Sequence, residues 1–383
     1  MMATNPGSAG GLGERPSAQS EAEGACDKSI QTIATFLARE AARGLHTTWL
    51  CIELPAGELE GPCAQRLRRA GFCPTEDDPR ILLRKTPASG RALAHMIEAT
   101  LGAHSHHGLR MCVVQGDEDL DFDLVHGRLK ELDPALDRLK AEWLIPVLVG
   151  RRVFVEFMPM FDEKGTLFAD EALARGTTAT HDVVSAIPLF MAGRALGLAT
   201  EIDRLAHRAA VLEFMKRRGS TQRRLAIHVT CSSLVKGSRA AASLLESSRT
   251  HGLDPADVIA IVRPDCHVEV DLAIRGVEFL EKAGFEIWLG GLDSAEHTLA
   301  ALHALRPKVA RITLPQTLNY EENPNLEDAL LATADQAAAI GTTLAVTGIE
   351  TPDHLALART LGATYFSGRM LTASAASDGH ASS

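Results

Sequence analysis

The chain is poor in aromatic residues: 12 Phe, 3 Trp and 2 Tyr make up 4% of its 383 residues. That leaves too little ring surface for the extended stacking platforms that bind single-stranded nucleic acid. Positive charge is also short. The 39 Lys and Arg stand against 49 Asp and Glu, a net charge of -10, which excludes the basic footprint of a general nucleic-acid binder. One small nucleotide, held by a few arginines in a cleft, remains compatible. No apolar run approaches the ~20 residues needed to cross a bilayer, and the best candidate, 144–160, is broken by Arg151, Arg152 and Glu156. The N-terminus lacks the basic start and apolar stretch of a secretory signal. The 7 cysteines (26, 51, 63, 73, 112, 231 and 266) form no C-x-x-C pair and no metal-like spacing. They read as reduced thiols in a cytoplasmic protein.

What is present is ordinary globular text, 45% hydrophobic and 23% charged, enough for two or three domains at ~150 residues each. Residues 1–25 and 373–383 are small, polar and Gly/Ser-rich, and are expected as disordered tails. The Gly10-Gly11-Leu12-Gly13 cluster has no strand before it, so it does not read as a phosphate loop. Residues 26–145 read as an α/β domain. Helical spacing runs from Ile30 to Arg43 and from Gly90 to Leu101, and buried strands are expected at 47–52, 81–83 and 111–114. From 150 to 372 the rhythm is clearer. Strands are expected at 153–161, 225–229, 258–262, 285–289, 309–314, 343–346 and 364–366, with helical patterns between most of them. One helix places Ile202, Leu205, Ala209, Leu212 and Met215 on a face. A second carries Val270, Ala273, Val277 and Leu280 and is closed by Gly284. A third opens at Asn323-Pro324 and closes at Gly341. Strand–helix units of this length imply a parallel sheet closed into a TIM-like (β/α) barrel, whose chemistry lies at the C-terminal strand ends.

At those ends the sequence resembles the EAL family, the barrel domains that hydrolyse or bind the bacterial second messenger cyclic di-GMP. Phe157-Met158-Pro159-Met160 is similar to that family's opening Y-Q-P-I, and Glu171-Ala172-Leu173-Ala174-Arg175 matches its E-x-L-x-R signature. Ile202-Asp203-Arg204 resembles L-D-R. Thr347-Gly348-Ile349-Glu350-Thr351, with Leu361-Gly362 and Gly368, resembles A-E-G-V-E-T…L-G…Q-G. The order of these segments over ~220 residues is what makes the likeness specific.

The resemblance implies two divalent cations on hard oxygen ligands, clamping the nucleophile and leaving group of a phosphodiester. This chain departs from that pattern at most ligand positions. Glu171 keeps the first ligand, but His228 stands for the family's Asn and Ile261 for the Glu of E-I-T-E. Gly290-Gly291 replace the paired acids of D-D-F-G, with Asp293 just beyond. Arg311 replaces the catalytic Lys, Thr347 an acid and Ser367 a Gln. The Mg²⁺ or Mn²⁺ site is therefore expected to be lost, and no catalytic residue or cofactor is assigned.

Ligand recognition is what the retained residues imply. By resemblance, Arg175 contacts phosphate or guanine, Leu173 supplies an apolar floor, Asp203 meets a guanine edge and Glu350 braces the loop near the dimer-linked part of the site. Arginine suits the task because its planar fork binds phosphate in two places or stacks on a purine. A plainer alternative is an ion pair between Arg175 and Glu171 with no ligand at all. Three readings thus stand: an inactive EAL-like cyclic di-GMP receptor acting through protein contacts, a nucleotide-independent interaction or scaffold protein, and a residual metal-dependent phosphodiesterase. A homodimer formed through the barrel is compatible with each.

Other clusters read blandly. His104, His106 and His107 lie on a Gly-flanked loop without further zinc ligands. His228 and Cys231 fall on opposite faces if the strand persists. Asp117, Glu118, Asp119, Asp121 and Asp123 form no complete calcium loop. The first domain sits where many EAL proteins carry a GGDEF domain, but Gln115-Gly116-Asp117-Glu118 is too short a likeness to establish one.

Overall fold

The computed structural model describes residues 48–86, 90–102, 107–115, 122–219, 223–230, 234, 239–264, 270–293, 295–318 and 324–372. Both expected tails, the 30–43 helix, the Gly10–Gly13 cluster, His104, His106, Cys231 and most of the acidic run lie outside these residues.

The first half is built on strands β1 (Thr48–Glu53), β2 (Cys73–Pro74), β3 (Ile81–Thr86), β4 (Arg110–Gln115) and β5 (Lys130–Glu131). They form one antiparallel sheet in the order β2-β3-β1-β4-β5. Because side chains alternate along a strand, Leu50 and Ile52 face one side. They pack with α1 (Pro62–Arg69), α2 (Gly90–Leu101) and α4 (Leu132–Ala141) through Leu67, Leu93, Ile97 and Leu136. Cys51, Ile81 and Cys112 face the other side, covered by Val125 and Leu129 at α3 (Phe122–Arg128). Cys51 and Cys112 stand opposite one another in the β1–β4 register, as buried free thiols.

The short helix α5 (Leu144–Val149) leads into the second half. Its Leu144, Val147 and Leu148 join Leu189, Ala192, Ile202 and Ala206 in one apolar cluster. Eight strands then close on themselves: β6 (Val153–Asp162), β7 (Leu167–Thr177), β9 (Arg224–Thr230), β10 (Val258–Arg263), β11 (Glu286–Gly290), β12 (Val309–Thr313), β13 (Thr343–Thr347) and β14 (Ala363–Ser367). The two-residue β8 (Val183–Val184) only extends β7. Helices α6 (Ala186–Leu196), α7 (Ala199–Arg218), α8 (Arg239–Thr250), α9 (Val270–Lys282), α10 (Glu296–Leu305), α11 (Leu326–Ala339) and α12 (Pro352–Thr360) complete the described elements of regular helix.

The barrel expected from the strand–helix rhythm is present, with one strand reversed. β6 runs antiparallel to both neighbours, β7 and β14, while the other pairings of the ring are parallel. Two-residue alternation sorts each strand. Leu225, Ile227, Val258, Ala260 and Val262 pack outward with helical residues such as Phe214, Leu244 and Leu280. Ala226, Ile259, Ile261, Trp288, Val309 and Ala345 pack together inside.

Two expectations need correction. The buried face of α7 is Ile202, Asp203, Ala206, His207, Ala210, Val211 and Phe214, whereas Leu212 is exposed. Small alanines let the helix approach the barrel closely, and two polar residues share the inner face, so counting apolar residues alone rotated it. The third helix begins at Leu326 with Asn325 before it, two residues after Pro324; Asn323 lies outside the described residues. Gly284 and Gly341 do close their helices, at φ +100 and +77, a region that favours glycine.

Candidate functional site at the barrel mouth

Glu171 lies midway along β7 and is 1% exposed. Its Oε1 accepts a hydrogen bond of 2.6 Å from Arg311 Nη1 on β12 and one of 2.7 Å from His228 Nε2 on β9. The carboxylate can only accept here, so the His228 proton on this contact sits on Nε2. Burial alone would push the Glu171 carboxyl up. The Arg311 charge and the His228 hydrogen bond outweigh it and hold the pKa down at about 2. Arg311 is itself buried, and its Nε has no hydrogen-bond partner among the described residues. Behind His228, His207 on α7 donates from Nε2 to the His228 carbonyl at 2.8 Å, while its Nδ1 is buried with no hydrogen-bond partner among the described residues.

Between β7 and β12 the C-terminal halves of strands β9, β10 and β11 offer no acid; Glu286 opens β11 at the opposite end, where it pairs with Arg224. Ile261 is fully buried in the interior cluster. Gly290 is also buried, and a Cβ added there would stand 2.6 Å from Ile261 Cγ2. That is closer than real side chains approach, so the two positions share one volume. Gly291 sits at φ +70, with Arg263 Nε 3.1 Å from where its Cβ would be. Asp293 turns to local capping, accepting from Ala295 N at 2.9 Å and from Thr298 Oγ1 at 2.6 Å. On β13 and β14, Ser367 Oγ donates to Thr347 Oγ1 at 2.8 Å, a closed hydroxyl pair. Among the described residues no three His, Cys, Asp or Glu side chains converge as a metal cage.

The charged residues expected to recognise ligand each have partners of their own. Arg175, at the end of β7, gives its Nε to Glu156 Oε2 of β6 at 2.8 Å and its Nη1 to Ala174 O at 3.0 Å. The simple ion pair considered from sequence therefore has different partners: Arg175 with Glu156, and Glu171 with Arg311. Leu173, half-buried, lies opposite Glu156 in the β6–β7 register. Asp203 is 1% exposed, and its Oδ2 accepts from Thr230 Oγ1 at 2.6 Å and Thr230 N at 3.3 Å. It thereby anchors the C-terminal end of β9 to α7. Glu350 pairs with Arg369 at 2.5 Å, and its N–H donates to His354 Nδ1 at 3.2 Å.

Sequence reading missed Glu156, His207 and Thr230 as partners. One signal was available: Asp203 and His207 stand four residues apart, which on a helix stacks two polar side chains on one face.

An EAL domain family model matches residues 144–373. The chain belongs to the EAL domain family. No curated protein matches it. Among solved structures, the EAL domain of FimX from Xanthomonas citri in complex with c-diGMP has a TM-score of 0.51 at 16% identity. The match covers 59% of this chain and 89% of that one. LapD from Vibrio cholerae, an S helix-GGDEF-EAL structure bound to c-di-GMP, has a TM-score of 0.52 at 13% identity, covering 92% of this chain and 98% of the other. The PaMucR phosphodiesterase in its c-di-GMP complex scores 0.52 at 17% identity, covering 60% and 94%. At such identities the likeness speaks for the fold. No described helix of this EAL protein is long and apolar enough to cross a membrane.

Proposed function

We propose that this EAL protein is a cytoplasmic cyclic di-GMP receptor that does not hydrolyse its ligand and acts through contacts with a protein partner. The observation that carries the reading is the Arg311–Glu171–His228 cluster. A side chain supplies the positive charge at the carboxylate that the family gives to divalent metal. The residues present do not fit a pair of hard cations. One carboxylate already holds two donors, a glycine and an isoleucine offer no ligand atom, and imidazole is a poor substitute for oxygen at Mg²⁺. Solved cyclic di-GMP complexes of EAL proteins share the barrel, and Arg175 and Leu173 remain near its mouth.

The domain organisation follows the same reading. On that reading the α/β domain is assigned to 26–145 and the degenerate barrel to 150–372. The 92% coverage by a GGDEF-EAL structure supports a GGDEF-like ancestry for the first domain without its signature. One observation favours a nucleotide-independent interaction protein instead: Arg175 already has a carboxylate partner in Glu156, which a nucleotide would have to displace. Calorimetric titration of cyclic di-GMP, with hydrolysis followed in excess Mg²⁺ or Mn²⁺, separates the readings. Saturable binding without turnover, weakened by Arg175→Ala, is the expected result. Turnover would restore the phosphodiesterase reading. Absence of binding would leave the interaction protein.

A further inference from the structure

Cys51 on β1 and Cys112 on β4 are opposite residues of an antiparallel pair, so their side chains leave the sheet on the same face. The flanking backbone bonds fix the kind of pair, because a strand's amides alternate between its two neighbours. Leu54 N donates to Arg80 O, toward β3, so the amide of Cys51, three residues earlier, points to β4. Leu109 O accepts from Leu132 N, beyond β5, so the amide of Cys112, three residues later, points back to β1. Opposite residues that exchange both backbone bonds have Cα atoms ~5.5 Å apart, within the span that a disulfide bridges. Cys51 is fully buried and Cys112 is 6% exposed. The Cys112 thiol reaches Val125 O at 3.8 Å. The Cys51 thiol donates to the Cys112 sulfur, which pushes the Cys112 thiol down and the Cys51 thiol up, and the Arg128 charge adds to the lowering at Cys112.

From this placement we infer that Cys51 and Cys112 form a redox-responsive dithiol, which a peroxide oxidises to a reversible disulfide stapling β1 to β4. The inference stands apart from the receptor reading, since neither residue lies in the barrel. Cys112, as thiolate, attacks one peroxide oxygen; the O–O bond breaks, the departing hydroxide takes the thiol proton as water, and a sulfenic acid remains. The Cys51 sulfur then attacks the Cys112 sulfur. The S–S bond forms, the S–O bond breaks, and the hydroxyl leaves with the Cys51 proton as a second water. Both sulfurs are oxidised, and both peroxide oxygens end reduced in water. Burial ordinarily keeps a thiol inert. What lies over this pair among the described residues is α3, only 7 residues long, through Val125 and Leu129. Local opening of so short a helix admits a molecule as small as hydrogen peroxide. Reversibility follows from the register. Cβ atoms of such a pair stand at the wide end of ~4.5–5.5 Å, against ~3.8 Å in a disulfide. The strands must draw together to form the bond, and a bond formed off its preferred geometry is easier to reduce.

The test is treatment of the reduced, folded full chain with hydrogen peroxide, followed by iodoacetamide in denaturant, proteolysis and mass spectrometry. The expected product in the parent is a peptide pair joined through Cys51 and Cys112, lighter by two hydrogen atoms and released by dithiothreitol. This measurement needs no variant. Oxidation of the exposed Cys73 without any Cys51–Cys112 linkage overturns the inference. The order of attack is read with dimedone, which captures sulfenic acids, in Cys51→Ala and Cys112→Ala chains shown by circular dichroism to be folded. Capture at Cys112 in Cys51→Ala, with Cys51 unmodified in Cys112→Ala, is expected; capture at Cys51 overturns the assigned order. Thermal melting reads the staple. The linked parent is expected to melt at a higher temperature than the reduced parent, because the cross-link restricts the unfolded chain, and dithiothreitol is expected to abolish the difference. A linked chain that melts no higher overturns the stapling role.

Discussion

Replacing Gly290 by alanine adds one methyl group to a strand whose backbone accepts any residue, because Gly290 is not among the glycines at positive φ. Such a change ordinarily stabilises by about 0.4–1 kcal/mol through the unfolded chain. Here the new Cβ falls 2.6 Å from Ile261 Cγ2, a branched methyl fixed directly on its own Cβ, which cannot swing aside. Overpacking of this kind costs about 1–3 kcal/mol, so Gly290→Ala is expected to destabilise by roughly 1–2 kcal/mol net. Ile261→Ala alone opens a cavity and costs about 2–5 kcal/mol. In that background the alanine at 290 has room, and its effect falls to zero or becomes mildly stabilising. The coupling between the sites is then about 2 kcal/mol, well above the ~0.5 kcal/mol scatter of independent positions. Urea unfolding of the parent, both single variants and the double variant measures it. Additivity, or a stabilising Gly290→Ala in the parent, would refute the shared-volume argument.

Three further outcomes follow from the same structure. Glu171 titrates near 2 in the fold against an ordinary 4.5, so its contribution is present above 4.5 and is lost as pH falls toward 2. The stability of the parent should decline by roughly 3 kcal/mol more than that of Glu171→Gln across that window, and parallel acid-unfolding curves would contradict this. Thr230→Val removes the hydroxyl donor to buried Asp203 at 2.6 Å and should cost about 1–3 kcal/mol, read as a lowered Tm. Thr351→Ala removes the side-chain cap on His354 N at the start of α12 and should cost about 1 kcal/mol; Thr351→Ser should recover most of it.

Much of the barrel was legible because its strands carry β-branched and apolar residues with period two, punctuated by helices closed at Gly284 and Gly341. The strand bearing the family signature was not. β7 reads Leu-Phe-Ala-Asp-Glu-Ala-Leu-Ala-Arg-Gly-Thr, rich in alanine, leucine, glutamate and arginine, which are good helix formers by local propensity. Pairing with β6 and β9 overrides that preference. The loss of ligand atoms at 261, 290 and 291 was readable residue by residue. The cross-barrel bond was not, because Glu171 and Arg311 lie 140 positions apart and meet only once the ring closes. The Cys51–Cys112 register is similar: 61 positions of sequence hide two thiols that face each other across adjacent strands.

The closeness of Ile261 and Gly290 also bears on the history of the fold. A lineage that exchanged an acid for glycine at 290 could then admit a branched side chain at 261, and once it had, the earlier step was no longer freely reversible. Putting aspartate back at 290 alone forces it against the isoleucine, and trimming the isoleucine first leaves a hole. Each single-step route home crosses a less stable protein, so the two sites act as a ratchet. Anyone seeking to engineer hydrolysis into this scaffold has to change them together and free Glu171 from Arg311 in the same step.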